Sequence, residues 1–268
     1  MSARIAHVSD VHFGGENREA TEAALQVVAD FAPHLTVVSG DITLNGLHHE
    51  FAAARAWLAS LGKIAPQLIT PGNHDTPYWN PVLRAAMPFR RYRRYIGWAD
   101  REAYDDETVS ARALNTARGV QFRLDWSKGV VDLSHVARTA AELKAGPQGV
   151  KLFACHHPLI EPADTPVAGA VHNGRAAAAM LAHAGVDLIL TGHTHMPFTL
   201  ALEVEGRTTY AVGAGTLSLR TRGFPAGFTT IEASENAFAI SALGWTGSAF
   251  EALAQWSLPR GPEPALAP

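Results

Sequence analysis

The order of apolar and polar residues along the chain predicts a layered α/β fold. Apolar residues at helical spacing predict helices over residues 16–31, 47–61, 133–145 and 173–184. Short apolar runs rich in β-branched residues predict strands at 5–9, 35–39, 67–70, 111–115, 120–124, 150–154 and 186–191. Four more runs, at 199–204, 208–212, 228–232 and 237–243, predict an antiparallel series. Strands that alternate with helices favour sheets covered by helices.

The same pattern predicts one domain over residues 1–256, with no internal repeat. Residues 81–110 stand apart because arginines are dense there and acidic residues follow them, so we expect an irregular, partly helical insertion. Four prolines fall in the last dozen residues, and for this reason 257–268 are expected to form a flexible tail.

The arginines of this insertion leave two functions open. On a solvated face they would pair with the acidic residues that follow them, whereas near a site they would attract anionic substrates. Tyr92, Tyr95 and Trp98 are interleaved with the arginines. These rings could stack on a base, anchor the insertion or form a contact between two copies, so a homo-oligomer stays open.

Composition describes an ordinary folded protein. The chain has 268 residues, 47% of them hydrophobic and 18% charged, and a net charge of -3, which excludes wholesale disorder. The chain has no excess of basic residues, so we do not expect a dedicated nucleic-acid binder. It also has no long uncharged apolar run, so we do not expect a membrane-spanning helix. One cysteine, Cys155, excludes a disulfide framework. The first residues lack the apolar stretch of a secretion signal, so we expect a cytoplasmic setting.

Candidate chemistry lies in five short segments, each placed directly after a predicted strand. They read Asp10-Val-His12, Gly40-Asp41, Gly72-Asn-His-Asp75, Cys155-His-His-Pro158 and Gly192-His-Thr-His195. The carboxyl ends of strands are where α/β sheets assemble ligand sites. Carboxylate, imidazole and amide groups without a thiolate motif suit Mn, Fe or Zn. The candidate ligands are Asp10, His12, Asp41, Asn73, His156, His193 and His195. Seven are too many for one tetrahedral ion and suit two ions that share a carboxylate.

All five segments, in this order, resemble the motifs of the calcineurin-like metallophosphoesterase superfamily over residues 10–195. The resemblance implies a four-layer α/β/β/α sandwich of two mixed sheets flanked by helices, with the strands after His195 completing the second sheet. It also implies two metal sites that share Asp41 and a water or hydroxide. One site would consist of Asp10, His12, Asp41 and His195, and the other of Asp41, Asn73, His156 and His193.

The implied reaction is hydrolysis of a phosphoester by hydroxide held between two cations. His74 is carried to the site without being needed as a ligand, so we assign it as the general acid that protonates the leaving oxygen. Asp75 is expected to orient the His74 imidazole and to hold it protonated. Asn73, His74 and His195 are candidate substrate contacts. His157 is expected to support the neighbouring ligand from behind.

The Gly-Asn-His-Asp and His-His-Pro segments are most similar to bacterial class III cyclic nucleotide phosphodiesterases and the related glycerophosphodiesterases. A small phosphodiester, with a cyclic nucleotide such as cAMP first, is therefore the expected substrate. Glycerophosphodiesters, phosphomonoesters and phospholipid headgroups are alternatives on the same site. A binding scaffold without catalysis is a remote alternative, because such a protein need not keep all seven ligands and His74.

Overall fold

The computed structural model describes residues 2–98, 101–122, 125–165 and 171–261. Within them the first half of the chain forms β1 (Ala3–Val8), α1 (Arg18–Phe31), β2 (Leu35–Ser39), α2 (His48–Leu61), β3 (Gln67–Thr70), α3 (Pro81–Ala86), α4 (Arg90–Tyr95), β4 (Arg101–Asp105) and β5 (Val109–Leu114). The second half forms α5 (Leu133–Ala145), β6 (Val150–Ala154), α6 (Gly174–His183), β7 (Leu188–Thr191), β8 (Phe198–Val204), β9 (Arg207–Gly213), β10 (Gly227–Ala233), β11 (Ala237–Trp245) and β12 (Phe250–Pro259).

The strands form two mixed sheets of six strands each. The first sheet has the order β12-β11-β10-β1-β2-β3, with β1, β2 and β3 parallel and the other three strands antiparallel. The second has the order β4-β5-β6-β7-β9-β8, with parallel strands in the middle and antiparallel β4 and β8 at the edges. The carboxyl ends of the parallel strands supply the functional site.

Three layers of apolar side chains hold the sheets and helices together. Adjacent residues of a strand point to opposite faces, so Val37 lies in the core between the two sheets and Val38 in the core beneath α1 and α2. Phe153 and Ile189 of the second sheet pack under α5 and α6. This arrangement confirms the expected four-layer α/β/β/α sandwich.

The strands after His195 divide between the two sheets, contrary to the expectation that they all complete the second. Only β8 and β9 do so, while β10 pairs antiparallel with β1, with Ile5 opposite Ile231, and β11 and β12 follow outward. An apolar pattern predicts a strand but does not indicate which strand pairs with it. Only the folded chain shows that β1 has a free edge with which β10 can pair.

Three further expectations change with the structure. Residues 257–259, assigned to a tail, are the last part of β12, and Leu258 packs against the core between the sheets; residues 262–268 lie outside the described residues. The segment 81–110 contains α3 and α4 but also edge strand β4, which we did not predict. Residues 120–122 form no strand, and 123–124 lie outside the described part of the chain.

Among the described residues, the longest helices have 14 residues, and none is long and apolar enough to cross a membrane.

Candidate active site

All seven predicted metal ligands follow the carboxyl ends of β1, β2, β3, β6 and β7. Five of them adopt the left-handed backbone conformation that residues other than glycine rarely adopt, with φ between 49° and 70°: Asp10, His12, Asp41, His193 and His195. Each such residue costs about 1–3 kcal/mol and persists only where its surroundings hold it in place. The turns at these strand ends direct side chains from separate strands toward one centre.

Glycines let the loops approach each other closely at this centre. A Cβ atom at Gly192 would overlap Ser9 Oγ and Asp10 Oδ2. A Cβ atom at Gly72 would likewise overlap the Asp41 carboxylate. Any larger residue at either position would therefore displace a predicted ligand.

Asp10 uses one carboxylate oxygen to hold the loops and presents the other to the centre. Its Oδ2 accepts hydrogen bonds from Ser9 Oγ (2.6 Å) and from the backbone N–H of His193 (2.9 Å). Its Oδ1 lies 3.1 Å from Nε2 of His195 and 3.7 Å from Nε2 of His12. This places three of the four residues expected in the first metal site around one point.

The two carboxylate oxygens of Asp41 likewise have different functions, one in holding a loop and the other facing the centre. Its Oδ1 accepts a hydrogen bond of 2.8 Å from the backbone N–H of His74. Its Oδ2 lies 3.2 Å from Nε2 of His156 and 3.9 Å from Nε2 of His12. Asp41 thus stands between ligands of both expected sites, which is the position that a bridging carboxylate requires.

Several buried atoms at this centre have no hydrogen-bond partner among the residues that the structure describes, although buried polar groups nearly always have one. They include Asp10 Oδ1, Asn73 Oδ1, His156 Nε2 and His193 Nε2. Asp10, His12 and His195 bring ligand atoms within 4.8 Å of one another, as do Asp10, Asp41 and His156. Oxygen and imidazole nitrogen atoms held this way fit two divalent cations.

Backbone carbonyl groups fix the orientation of two of the imidazoles. His156 Nδ1 donates to the carbonyl oxygen of Ser39 at 2.8 Å, and His195 Nδ1 donates to that of Arg220 at 2.5 Å. Because a carbonyl only accepts, Nδ1 carries a proton, and Nε2 is the nitrogen that faces the expected metal position. The guanidinium of Arg222 donates to the carbonyl of His193 and holds that loop.

Burial and mutual contact shift the pKa values of these groups. Burial lowers the pKa of both His12 and His193 to about 3, which keeps them neutral as metal ligands must be. At His156 burial also lowers the pKa, but the Asp41 carboxylate outweighs it and raises the pKa to about 9. Burial works to raise the pKa of Asp41, yet His156 and its neighbours hold that pKa well below its usual value.

The expected contact between Asp75 and His74 is wrong. The Asp75 carboxylate is fully buried and accepts hydrogen bonds from the backbone N–H groups of Ile42, Thr43 and Gly72 and from the Thr43 hydroxyl. The imidazole of His74 donates from Nδ1 to the carbonyl oxygen of Leu44 instead, at 2.6 Å. Asp75 therefore ties together the two loops that carry Asp41 and Asn73, because its side chain points into them.

His74 and His157 occupy different places around the centre. His74 meets His12 edge to face, with 4.8 Å between ring centroids, and its backbone N–H contacts Asp41. His157 lies behind His156 and His193, and both of its ring nitrogens are engaged, one with the Thr116 hydroxyl and the other with the Ser127 carbonyl. Since neither nitrogen is free, His157 packs beside the ligands.

Sequence patterns missed most of the residues that line a cavity next to this centre. A cavity of about 400 Å³ opens beside Asn73 and His74 and is also lined by Tyr78, Arg84 and Trp126. Of these, only Arg84 belonged to a segment that the sequence singled out, as one of the arginines in 81–110. Trp126 comes from the loop after β5, and no short motif marks it.

Comparison with known proteins agrees with this fold and site. The chain belongs to the calcineurin-like phosphoesterase family, whose profile matches residues 3–197. It is accordingly a metal-dependent phosphoester hydrolase. Every residue of the predicted metal centre lies inside the matched range.

One relative and two solved structures illustrate the likeness. A probable cyclic nucleotide phosphodiesterase of Synechococcus is 24% identical over 262 residues, which cover 91% of this chain and 93% of that protein. A purple acid phosphatase from yellow lupin superposes with a TM-score of 0.73 at 14% identity; the match covers 97% of this chain but only 54% of the lupin one. A dimetal phosphatase from Danio rerio superposes with a TM-score of 0.63 at 12% identity, over 97% and 99% of the two chains. At such identities the structures establish a shared fold.

Proposed function

We propose that this protein is a dinuclear phosphodiesterase that hydrolyses cyclic nucleotides. The observation that carries the proposal is the convergence of seven buried candidate ligands around Asp10 and Asp41, with His74 beside them; four of the seven have a ligand atom without a hydrogen-bond partner among the described residues. The cyanobacterial relative, a probable cyclic nucleotide phosphodiesterase, supports the choice of substrate because the likeness spans nearly the whole of both chains.

The residues would divide into two metal sites joined by Asp41. Asp10, His12 and His195 would hold one ion and Asn73, His156 and His193 the other. The donor set suits Mn, Fe or Zn. When bound, such a pair lowers the pKa of water to near neutrality and neutralises charge on the phosphoryl oxygens.

The chain's own groups then position the substrate and transfer a proton. Asn73 would use its side-chain oxygen as a ligand, which leaves its N–H₂ group to donate to a phosphoryl oxygen. His74 is the general acid: with Nδ1 held by the Leu44 carbonyl, Nε2 is the atom that delivers a proton to the leaving alkoxide. His195 lies at the same centre and is our further candidate for a phosphate contact.

The test combines metal analysis with a substrate screen. Purified protein should retain about two metal ions per chain, and Mn²⁺ should support turnover of bis(p-nitrophenyl) phosphate and of 3′,5′-cyclic nucleotides. Glycerophosphodiesters, 2′,3′-cyclic nucleotides and p-nitrophenyl phosphate complete the screen. Asp41→Asn should lower the occupancy of both metal sites together.

The outcomes separate the alternatives. If the protein hydrolyses glycerophosphodiesters faster than any cyclic nucleotide, its substrate is a glycerophosphodiester and the proposed substrate is wrong. Protein that binds metal but hydrolyses none of these compounds would act as a scaffold. Loss of a single ion in Asp41→Asn would contradict the bridging assignment.

A further inference from the structure

The cavity beside the metal centre has flat aromatic walls. Tyr78 stands half-exposed after the motif that carries His74, and the two rings are nearly parallel, with centroids 6.1 Å apart and an angle of 8°. Trp126 enters from the loop after β5 and lines the same cavity. Aromatic faces of this kind stack on nucleobases, which contributes to binding with little regard to base identity.

Arg84 supplies a buried positive charge to this cavity. Its side chain is only 6% exposed, its Nε donates to the carbonyl of Gly119 at 3.0 Å, and one terminal nitrogen, Nη2, donates to that of Trp126 at 3.4 Å. Its guanidinium also lies 5.8 Å from the Trp126 ring. In the described part of the chain no carboxylate pairs with Arg84, and Nη1 has no acceptor. The remaining N–H groups of Arg84 are therefore available to a ligand that offers acceptors.

Asp125 supplies an acceptor to the same cavity. Its Oδ1 receives hydrogen bonds from the backbone N–H and the hydroxyl of Ser127, at 3.0 and 2.6 Å. Its Oδ2 has no donor among the residues that the structure describes. Arg84 and Asp125 form no ion pair with each other in this structure, although both line the cavity. The cavity therefore offers an uncommitted donor and an uncommitted acceptor beside two aromatic rings.

This combination is complementary to guanine. Guanine presents two acceptors, O6 and N7, which an arginine can contact together. Its N1–H and N2 amino groups are donors that a carboxylate can accept. Adenine carries an amino group where guanine has O6. Arg84 has only donors, so it cannot accept a hydrogen bond from that amino group.

We propose that this cavity is the base subsite of the enzyme and that it selects guanine over adenine. In a 3′,5′-cyclic nucleotide bound at the metal centre, Arg84 donates to O6 and N7, Asp125 accepts from N1–H and N2–H, and Tyr78 and Trp126 pack on the base. The subsite rests on the proposed cyclic nucleotide activity and adds the identity of the base to it.

Arg84 has a competing structural role, because its hydrogen bonds join α3 to the loop that carries Trp126. Loss of that role would lower activity on every substrate alike. The selectivity ratio between two bases distinguishes the two roles, since only a direct contact with the base changes the ratio. Asp125 is exposed, so its replacement by Asn tests the same subsite with little risk to folding.

The experiment compares kcat/KM for cyclic GMP and cyclic AMP, with bis(p-nitrophenyl) phosphate as a substrate that lacks a base. The wild-type protein should prefer cyclic GMP by about 10-fold or more. Arg84→Met and Asp125→Asn should each lower kcat/KM for cyclic GMP by about 5- to 100-fold, the range for one specific base contact. Turnover of cyclic AMP should change less than about threefold, and Arg90→Met, an exposed arginine of α4, should change neither.

Each other outcome has one meaning. Equal losses on both nucleotides, or a wild-type preference for cyclic AMP, would overturn the base subsite and leave the proposed function standing. Normal turnover of bis(p-nitrophenyl) phosphate with no turnover of either nucleotide would overturn the cyclic nucleotide activity and the subsite with it.

Discussion

The imidazole of His74 is held by the backbone carbonyl of Leu44, 2.6 Å from Nδ1. A carbonyl oxygen only accepts, so Nδ1 keeps its proton in either charge state of the ring and Nε2 is the nitrogen that can exchange a proton. The partner of Nδ1 is a neutral group, whereas the carboxylate of Asp41 lies close enough to interact electrostatically with the ring. The acid function of His74 thus depends on its position beside Asp41 and on the substrate's own charge.

The first prediction concerns this proton. His74→Ala should lower kcat/KM for phosphodiesters with alkyl leaving groups by about 10²–10⁴-fold, because the alkoxide then leaves without a proton. Diesters of p-nitrophenol should lose far less, since that leaving group needs no proton. Metal content should be unchanged, because His74 is not a predicted ligand.

A plot of log kcat/KM against the pKa of the leaving alcohol measures this effect, with metal content determined on the same samples. His135→Ala, at an exposed position of α5, is the matched control and should change nothing. Equal losses for good and poor leaving groups would assign His74 to substrate binding.

The second prediction concerns Asp75. Its carboxylate accepts four hydrogen bonds from the loops after β2 and β3, at 2.8 to 3.2 Å. Asp75→Ala should therefore lower the free energy of unfolding by about 2–4 kcal/mol, because buried donors lose a charged acceptor. Metal content should fall as well, since these loops carry Asp41 and Asn73.

Urea unfolding of metal-free protein measures the stability loss separately from the metal. Asp30→Ala, an exposed carboxylate of α1, should stay within about 0.5 kcal/mol of wild type. A stable, metal-replete Asp75→Ala protein with impaired proton transfer would restore the original expectation that Asp75 acts on His74.

The third prediction concerns Gly192, whose backbone lies very close to the side chains of Ser9 and Asp10. Gly192→Ala should displace Asp10, because the added Cβ would overlap its Oδ2 and the Ser9 hydroxyl. Metal occupancy should fall at the site that contains Asp10 and His195, and activity should fall with it. Metal analysis against a Mn²⁺ titration tests this.

Gly62→Ala is the control, since its Cβ would meet its nearest neighbour at 3.3 Å, where a small shift suffices. We expect it to bind metal as the wild type does. Normal metal binding by Gly192→Ala would mean that the two strand ends can separate without loss of the site.

The fourth prediction tests the final strand with two leucines of β12. Leu258 packs against the core between the sheets, whereas Leu253 is 43% exposed. Leu258→Ala should lower the free energy of unfolding by about 1–3 kcal/mol, because it removes partly buried apolar surface. Leu253→Ala should cost less than about 0.5 kcal/mol.

Denaturant unfolding of both variants gives the comparison. Equal, small effects would mean that residues near 257 contribute no stability, as a flexible tail would. A large effect at Leu258 alone would place β12 within the folded core.

The sequence by itself determined which candidate ligand residues lie at one edge of the sheets. Asp10, His12, Asp41 and the later motif residues lie within a few positions of strongly apolar strands, and parallel strands bring their carboxyl ends to the same edge. Local spacing was therefore enough to predict which side chains converge. The same strong patterns located α1, α2, α5 and most central strands.

Only the tertiary structure decided which partners the remaining groups take. Asp75 turns away from His74 because donors from the loop after β2 and from its own loop surround it, and β12 forms because β11 offers an open edge. Arg84 and Asp125 lie 41 positions apart and line one cavity. Contacts of this kind depend on how separate segments pack. The apolar and polar pattern within one segment predicts which of its residues are buried, but not which other segment packs against them.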